Sequence, residues 1–242
     1  MISNLPLGHL KVSAGGTGEV IDFIRKRISE NKKTYCIPLN LTKYVMSKKD
    51  PKLKEVINSA DLITPDGISI VWLSRRAGYQ DVYRVPGIDL AERVLSESKI
   101  RGWRIFLLGA SSENLNKAVD NLKKRFNSPH IAGFHHGYFK EHEVEQIIEL
   151  INRSNSDILF LGLGLPQKEY FIHDYFSRIN VKFCLAVGGA FDVWAGAKQR
   201  TPSLIQKIGL EWLFRSFYDK NKMLNIARYG LTFLKDFVVY KK

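Results

Sequence analysis

The sequence predicts an α/β fold: a Rossmann-like, mainly parallel sheet with helices on both faces. Three observations carry the expectation. Short apolar runs recur at 33–37, 104–108, 131–134, 158–161 and 183–187. Segments of helical period, about 10 to 15 residues long, alternate with them, as in a chain that builds parallel strands through helical crossovers. Three of the runs end on a glycine (Gly109, Gly162, Gly188), which is how a buried strand commonly turns into the next helix.

In chain order, Gly15-Gly-Thr-Gly18 precedes an apolar stripe (Val20, Ile21, Ile24, Ile28), with Thr17 as the expected N-cap. After the run at 33–37 come Pro38-Leu39-Asn40 and two short helices, over 41–46 and 53–59, separated at Asp50-Pro51. Residues 61–67 read as a short strand ending in a turn, and 68–76 as a helix packed through Ile68, Val71 and Trp72. Asp66 stands at that carboxyl edge, where open α/β sheets bind ligands, so it is a candidate base; capping of the following helix is the competing reading. Arg84 lies in the loop before an amphipathic helix over 90–98. Ser111 or Ser112 caps a helix over 115–126, and 141–151 is helical.

The stretch Asp157-Ile-Leu-Phe-Leu-Gly-Leu-Gly-Leu-Pro-Gln-Lys-Glu169 reads as strand, glycine turn and helix, with Pro166 at the first helical position. Glycines admit a ligand close to the backbone, and the helix dipole favours a phosphate there. Ordinary turn chemistry explains two glycines equally well. The last run leads into Gly188-Gly-Ala-Phe-Asp192, again at a carboxyl edge.

The 242 residues suffice for an α/β core over 1–197 and a helical appendage over 198–242. A hydrophobic content of 45% with 25% charged residues excludes general disorder. The first ten residues lack the basic lead and apolar run of a signal peptide, and no uninterrupted apolar stretch of about 18 residues occurs, so a cytoplasmic protein is expected. Cys36 and Cys184 fall inside apolar runs and are expected to be reduced core thiols. His135-His136 reads as loop surface, and no metal-ligand spacing is present.

The net charge of +13 points to anionic partners, and its placement is uneven. From Lys198 onward ten basic residues face three acidic ones. There the aromatic-rich segments 204–208 and 210–217 read as short helices and 223–240 as a longer one. On the longer helix Met223, Ala227, Leu231, Leu234 and Val238 form one stripe, flanked by Lys222, Arg228, Lys235, Lys241 and Lys242. Docking in an anionic membrane interface and packing on the core or a second subunit both fit that pattern.

Four segments in this order, Thr64-Pro-Asp-Gly-Ile68, Arg84-Val-Pro-Gly-Ile-Asp89, Gly162-Leu-Gly-Leu-Pro-Gln-Lys-Glu169 and Ala186-Val-Gly-Gly-Ala-Phe-Asp-Val-Trp-Ala-Gly196, resemble the WecG/TagA/CpsF glycosyltransferases of bacterial surface-polymer synthesis. Arg200-Thr-Pro202 and Gly209-Leu-Glu-Trp-Leu-Phe-Arg215 extend the likeness, which runs from about Tyr35 to Arg215. The resemblance implies inverting transfer of a sugar, N-acetylmannosamine or a related hexose, from UDP to a polyprenyl-diphosphate-linked sugar at the inner face of the cell membrane. It also implies Asp66 as general base, Arg84 as stabiliser of the leaving diphosphate, and Gly164, Gln167 and Glu169 as lining of the nucleotide pocket. Asn40 joins the catalytic candidates; Gly109, Pro166, Gly188 and Asp192 join the nucleotide-binding ones. The basic appendage is implied to dock on lipid and close the site. The chain departs from the family at Pro38, where threonine is frequent.

The metal-binding Asp-x-Asp motif common in UDP-sugar enzymes occurs nowhere in the chain, so the expectation is no cofactor and no metal. Apolar residues near the C terminus also suit a homo-oligomer. Two rivals share the pattern's general features: a nicotinamide-dependent oxidoreductase, whose third fingerprint glycine is missing, and a nucleic-acid-binding module, for which no recognised motif is present. Parallel titrations with UDP, NAD and single-stranded DNA discriminate them. Saturable binding of UDP alone is the expected result.

Overall fold

The structure, a computed structural model, describes residues 2–202, 205 and 220–239, apart from the side chains of 220–228. The expected helices over 204–208 and 210–217, the Gly209 to Arg215 motif, Lys241 and Lys242 lie outside the described residues. Contacts divide the chain into two compact units. One consists of Ile21–Ile37 and Gly87–Gln199, the other of Met1–Val20, Pro38–Pro86 and Arg200–Lys242. The second division, around Pro38–Pro86, is not announced by the sequence, and it arises because these extended segments pair among themselves.

The first unit holds the expected parallel sheet. Its strands are β3 (Thr34–Cys36), β4 (Ile105–Gly109), β5 (Ile131–His135), β6 (Ile158–Gly162) and β7 (Phe183–Ala186), in spatial order β3-β7-β6-β4-β5 with every neighbour parallel. β4 and β6 are buried almost throughout, so their sequences run continuously apolar instead of alternating. Phe106, Leu108, Leu159, Leu161 and Cys184 pack on one face against Ile147, Ile148 and Ile151 of α7 (Val144–Arg153) and Phe171 and Ile172 of α8 (Gln167–Tyr175). On the other face Phe160 meets Trp194 of α9 (Ala190–Trp194), and α5 (Gly87–Arg101) lies against β7. α6 (Ser112–Arg125) starts from Ser111, whose hydroxyl accepts from the Asn114 amide, as its cap reading requires.

Cys36 and Cys184 are buried free thiols on adjacent strands, and burial pushes the Cys184 thiol far above the ordinary cysteine range. Most of α1 (Thr17–Ser29) belongs here as well, tied to α5 through Glu97. That carboxylate accepts from Arg25 Nε at 2.7 Å and Arg101 Nε at 2.9 Å, and the Arg25 hydrogen bonds hold it below the usual carboxylate range. Thr17 is the first helical residue and not the cap; the Glu19 carboxylate accepts from the Gly16 amide instead.

The other unit opens with a hairpin the sequence reading does not foresee, β1 (Asn4–Leu7) antiparallel to β2 (Leu10–Ser13), turning at Gly8 with φ +63°. Leu7, Leu10 and Val12 supply its buried side. Its helices among the described residues include α2 (Leu41–Met46), α3 (Pro51–Asn58), α4 (Ile68–Arg76) and α10 (Lys220–Val239). The strand expected over 61–67 is reduced to isolated bridge residues, Leu62 and Pro65, the latter parallel to Leu39. A proline has no N–H to extend a ladder, and one stands at the bridge itself.

One expectation about a helix face is corrected, and one left open is narrowed. Trp72 does not pack: it is 45% exposed, and Ile70, Val71 and Leu73 carry the burial of α4. The stripe Leu231, Leu234 and Val238 of α10 faces solvent at 56–66% exposure, while Phe233 is buried and α10 lies against α2. Phe233 and Phe237, at i and i+4, lie with ring centroids 5.9 Å apart.

At the carboxyl end of the sheet Gly162 is sterically fixed. A Cβ there would lie 2.5 and 2.6 Å from the fully buried Phe191 ring and 3.0 Å from the Gly188 carbonyl oxygen. Gly162→Ala should therefore lower the unfolding free energy by about 1–3 kcal/mol through overpacking, measured by chemical denaturation; Gly189→Ala, which has open space at its Cβ position, is the control.

Candidate active site

In the unit containing Pro38–Pro86, three segments distant in sequence converge through main-chain hydrogen bonds. The Leu39 amide donates to the Thr64 carbonyl at 2.7 Å, the Asp66 amide to the Leu39 carbonyl at 2.9 Å, and the Val85 amide to the Pro65 carbonyl at 2.8 Å. Asn40, Asp66 and Arg84 consequently leave this small parallel arrangement at one end. A Cβ on Gly67 would come within 4.0 Å of the Asn40 Cβ. Arg84 Nε donates to the Asp66 carbonyl oxygen at 3.2 Å, fixing the guanidinium beside that residue. All three side chains are half-buried.

Local chemistry explains their poses. Asn40 is the N-cap of α2, its Oδ1 accepting from the Lys43 amide at 3.1 Å. The N-cap position of α4 is Gly67 and not Asp66. Lys43, which the sequence reading passes over, is 3% exposed, and its Nζ donates to the Pro38 carbonyl at 2.7 Å. A buried ammonium needs polar compensation, and this one braces the turn that presents Asn40. A lysine three residues into an amphipathic segment carries no sequence signal of burial.

In the sheet-bearing unit, Gly109 and Gly162 are register partners at the ends of β4 and β6. The strand order reverses between these two strands, the position where doubly wound sheets open a crevice. A Cβ on Gly109 would lie 2.5 Å from the Gly162 backbone, so that position is restricted to glycine by main-chain packing, and Gly162 by the Phe191 ring and the Gly188 carbonyl. Gly188 (φ +56°) ends β7 beside them. Gly164 and Gln167 are exposed on the turn, with Gln167 Oε1 3.3 Å from where a Gly164 Cβ would stand. Pro166 is the residue before α8 and not its first helical residue; with φ −93° and ψ 10° it lies outside helical geometry. The Lys168 amide is also used internally, donating to Gly164 O at 3.0 Å.

Behind the turn, Glu169 (0% exposed) and Lys168 (4%) form a buried pair, Nζ to Oε2 3.2 Å. Asp192 accepts from Asn114 Nδ2 at 3.0 Å and is ion-paired with Lys198. Both carboxylates are thus engaged within the protein. Among the described residues no three His, Cys, Asp or Glu side chains are grouped to hold a metal ion, and no helix is long and apolar enough to cross a membrane.

The sequence profile of the glycosyl transferase WecG/TagA/CpsF family matches residues 6–240, nearly the whole chain. The protein belongs to this family. Similar curated proteins include an N-acetylglucosaminyldiphosphoundecaprenol N-acetyl-β-D-mannosaminyltransferase of Bacillus spizizenii, 30% identical over 86% of this chain and 81% of the relative. A protein of the same name from Bacillus subtilis is 32% identical over 78% and 74%. This WecG/TagA/CpsF protein is therefore a glycosyltransferase, and both rival classes are set aside. Within it, the segment resemblance read from sequence falls on two clusters: Asn40, Asp66 and Arg84 in one unit, and Gly109, Gly164, Pro166, Gln167, Glu169, Gly188 and Asp192 around the carboxyl ends of the strands in the other.

Proposed function

We propose that the protein transfers N-acetylmannosamine, or a closely related hexose, from its UDP derivative to a polyprenyl-diphosphate-linked N-acetylglucosamine, with inversion and without a metal ion. The names of the Bacillus relatives support the sugar and the lipid-linked acceptor. The observation that carries the reading is the Arg84 Nε to Asp66 O hydrogen bond, which sets a cation beside a half-buried carboxylate residue.

Asp66 takes the proton of the acceptor hydroxyl as that oxygen forms its bond to the anomeric carbon. On the opposite side the bond from that carbon to the UDP oxygen breaks, and UDP departs with the electron pair, leaving the configuration inverted. Charge that grows on the departing diphosphate is met by Arg84, a planar, permanently charged donor suited to phosphate oxygens. The missing Asp-x-Asp motif supports assigning this task to a side chain. Asn40, locked as a cap, positions the acceptor. In the sheet-bearing unit Gly164, Gln167 and the Gly109 and Gly188 turns take the nucleotide, while Glu169 and Asp192, held by Lys168 and by Lys198, keep the shape of the surrounding loops.

The protein acts as a peripheral enzyme on the anionic inner face of the cell membrane. Solvent-facing Leu231, Leu234 and Val238, with Lys235 among them, support this placement of the appendage. A homo-oligomer contact is the competing use of the same flank.

Asp66→Ala should cut turnover by about 10²–10⁴ while UDP affinity stays within twofold. Turnover close to that of the unaltered enzyme removes Asp66 as the base. Truncation after Pro202 should abolish sedimentation with liposomes containing anionic lipid; undiminished sedimentation assigns the last helix to protein contacts.

A further inference from the structure

The outer side of α4 carries one aromatic and two basic side chains. Ser69, Ile70, Val71, Leu73 and Ser74 are buried, which leaves Trp72, Arg75 and Arg76 outside and Ile68 at the margin. The side begins at the Asp66-Gly67 turn and, over the two helical turns from Ile68, advances about 11 Å. At its far end the Arg76 guanidinium lies over the Phe237 ring, 5.9 Å from the centroid, and Arg76 Nε donates to the Phe237 carbonyl at 3.4 Å. Next to Phe237 on α10, Leu234 and Val238 are exposed. Among the described residues no carboxylate lies within ion-pair distance of Arg75 or Arg76.

Aromatic surface, two guanidinium groups with no carboxylate partner among the described residues, and an aliphatic flank therefore follow one another from Asp66 outward. A lipid-linked sugar has the same sequence of chemistry: a ring with an apolar face, a diphosphate, a hydrocarbon tail. We propose that this side of α4 is the acceptor track, with Trp72 beneath the sugar, Arg75 and Arg76 on the diphosphate, and the first isoprene units against Leu234 and Val238. This rests on Asp66 marking the acceptor hydroxyl.

The distances suit it. A hexose followed by a diphosphate spans on the order of two helical turns, about 11 Å, which brings the phosphates to the last turn of α4. A guanidinium stacked on an aromatic ring retains in-plane N–H donors for phosphate oxygens. Helix-dipole compensation accounts for basic residues in a last turn, but it requires neither an exposed tryptophan one turn earlier nor an arginine seated on an aromatic ring of a second helix beside an aliphatic flank.

The test uses the full chain, farnesyl diphosphate as probe without vesicles, and calorimetry, with UDP affinity as the check on folding. The unaltered protein should bind farnesyl diphosphate at least tenfold more tightly than inorganic diphosphate, and the double variant Arg75→Ala/Arg76→Ala should lose at least tenfold in farnesyl diphosphate affinity with UDP binding unchanged. Leu234→Ser/Val238→Ser should erase the preference over inorganic diphosphate, and Trp72→Ala should raise KM for the lipid-linked acceptor and not for the UDP-sugar. Affinity within twofold in the arginine variant overturns the proposal, as does equal binding of the two diphosphates by the unaltered protein. So does a result in which the arginine variant loses only its binding to vesicles of anionic phospholipid, which assigns the arginines to the membrane surface. An unaltered protein that binds farnesyl diphosphate through Arg75 and Arg76 but transfers no sugar keeps the track and sinks the catalytic reading, so the two failures are distinguishable.

Discussion

The candidate catalytic cluster depends on three main-chain hydrogen bonds, Leu39 to Thr64, Asp66 to Leu39 and Val85 to Pro65. Parallel neighbours cannot be joined by a tight turn, so each pairing gathers residues from well-separated parts of the chain. Asn40 lies one step past such a pairing, Asp66 at one and Arg84 one step before one, where the backbone is still fixed but side chains are free to face outward. Side-chain contacts then refine the arrangement: Asn40 is held by the helix it caps, Arg84 by the Asp66 carbonyl, and the Pro38 turn by buried Lys43. The backbone brings the groups together, and the side chains select their poses.

The sheet-bearing unit solves a different problem. Its central strands are enclosed on both faces, so their carboxyl ends are where main-chain polar groups reach a crevice. Gly109 and Gly162 touch backbone to backbone there, with Phe191 closing the space behind. The same absence of Cβ atoms that admits a ligand is, at these two positions, already required by packing. Gly164 and Gln167, one turn further, remain exposed on the rim.

The C-terminal helix shows how a charge-rich segment is placed by a few contacts. Phe233 supplies buried area, Arg76 lies on Phe237, and Lys48 pairs with Asp236. Together these turn the Leu231, Leu234 and Val238 side outward, where hydrocarbon in water is unfavourable unless it meets lipid or another apolar surface.

The sequence by itself determined the parallel α/β class, the five strands of its sheet, the cap at Ser111, the reduced cysteines and the family. These follow from local patterns, namely continuous apolar runs, capping residues and ordered motifs, whose physical cause lies within a few residues of the pattern. Only the tertiary structure decided that Asp66 leaves the cap of α4 to Gly67, that Lys43 is buried, that Trp72 is not, and which side of the last helix faces solvent. Each of those outcomes is a competition between surfaces that meet from distant parts of the chain, and periodicity along one segment says nothing about the partner that wins.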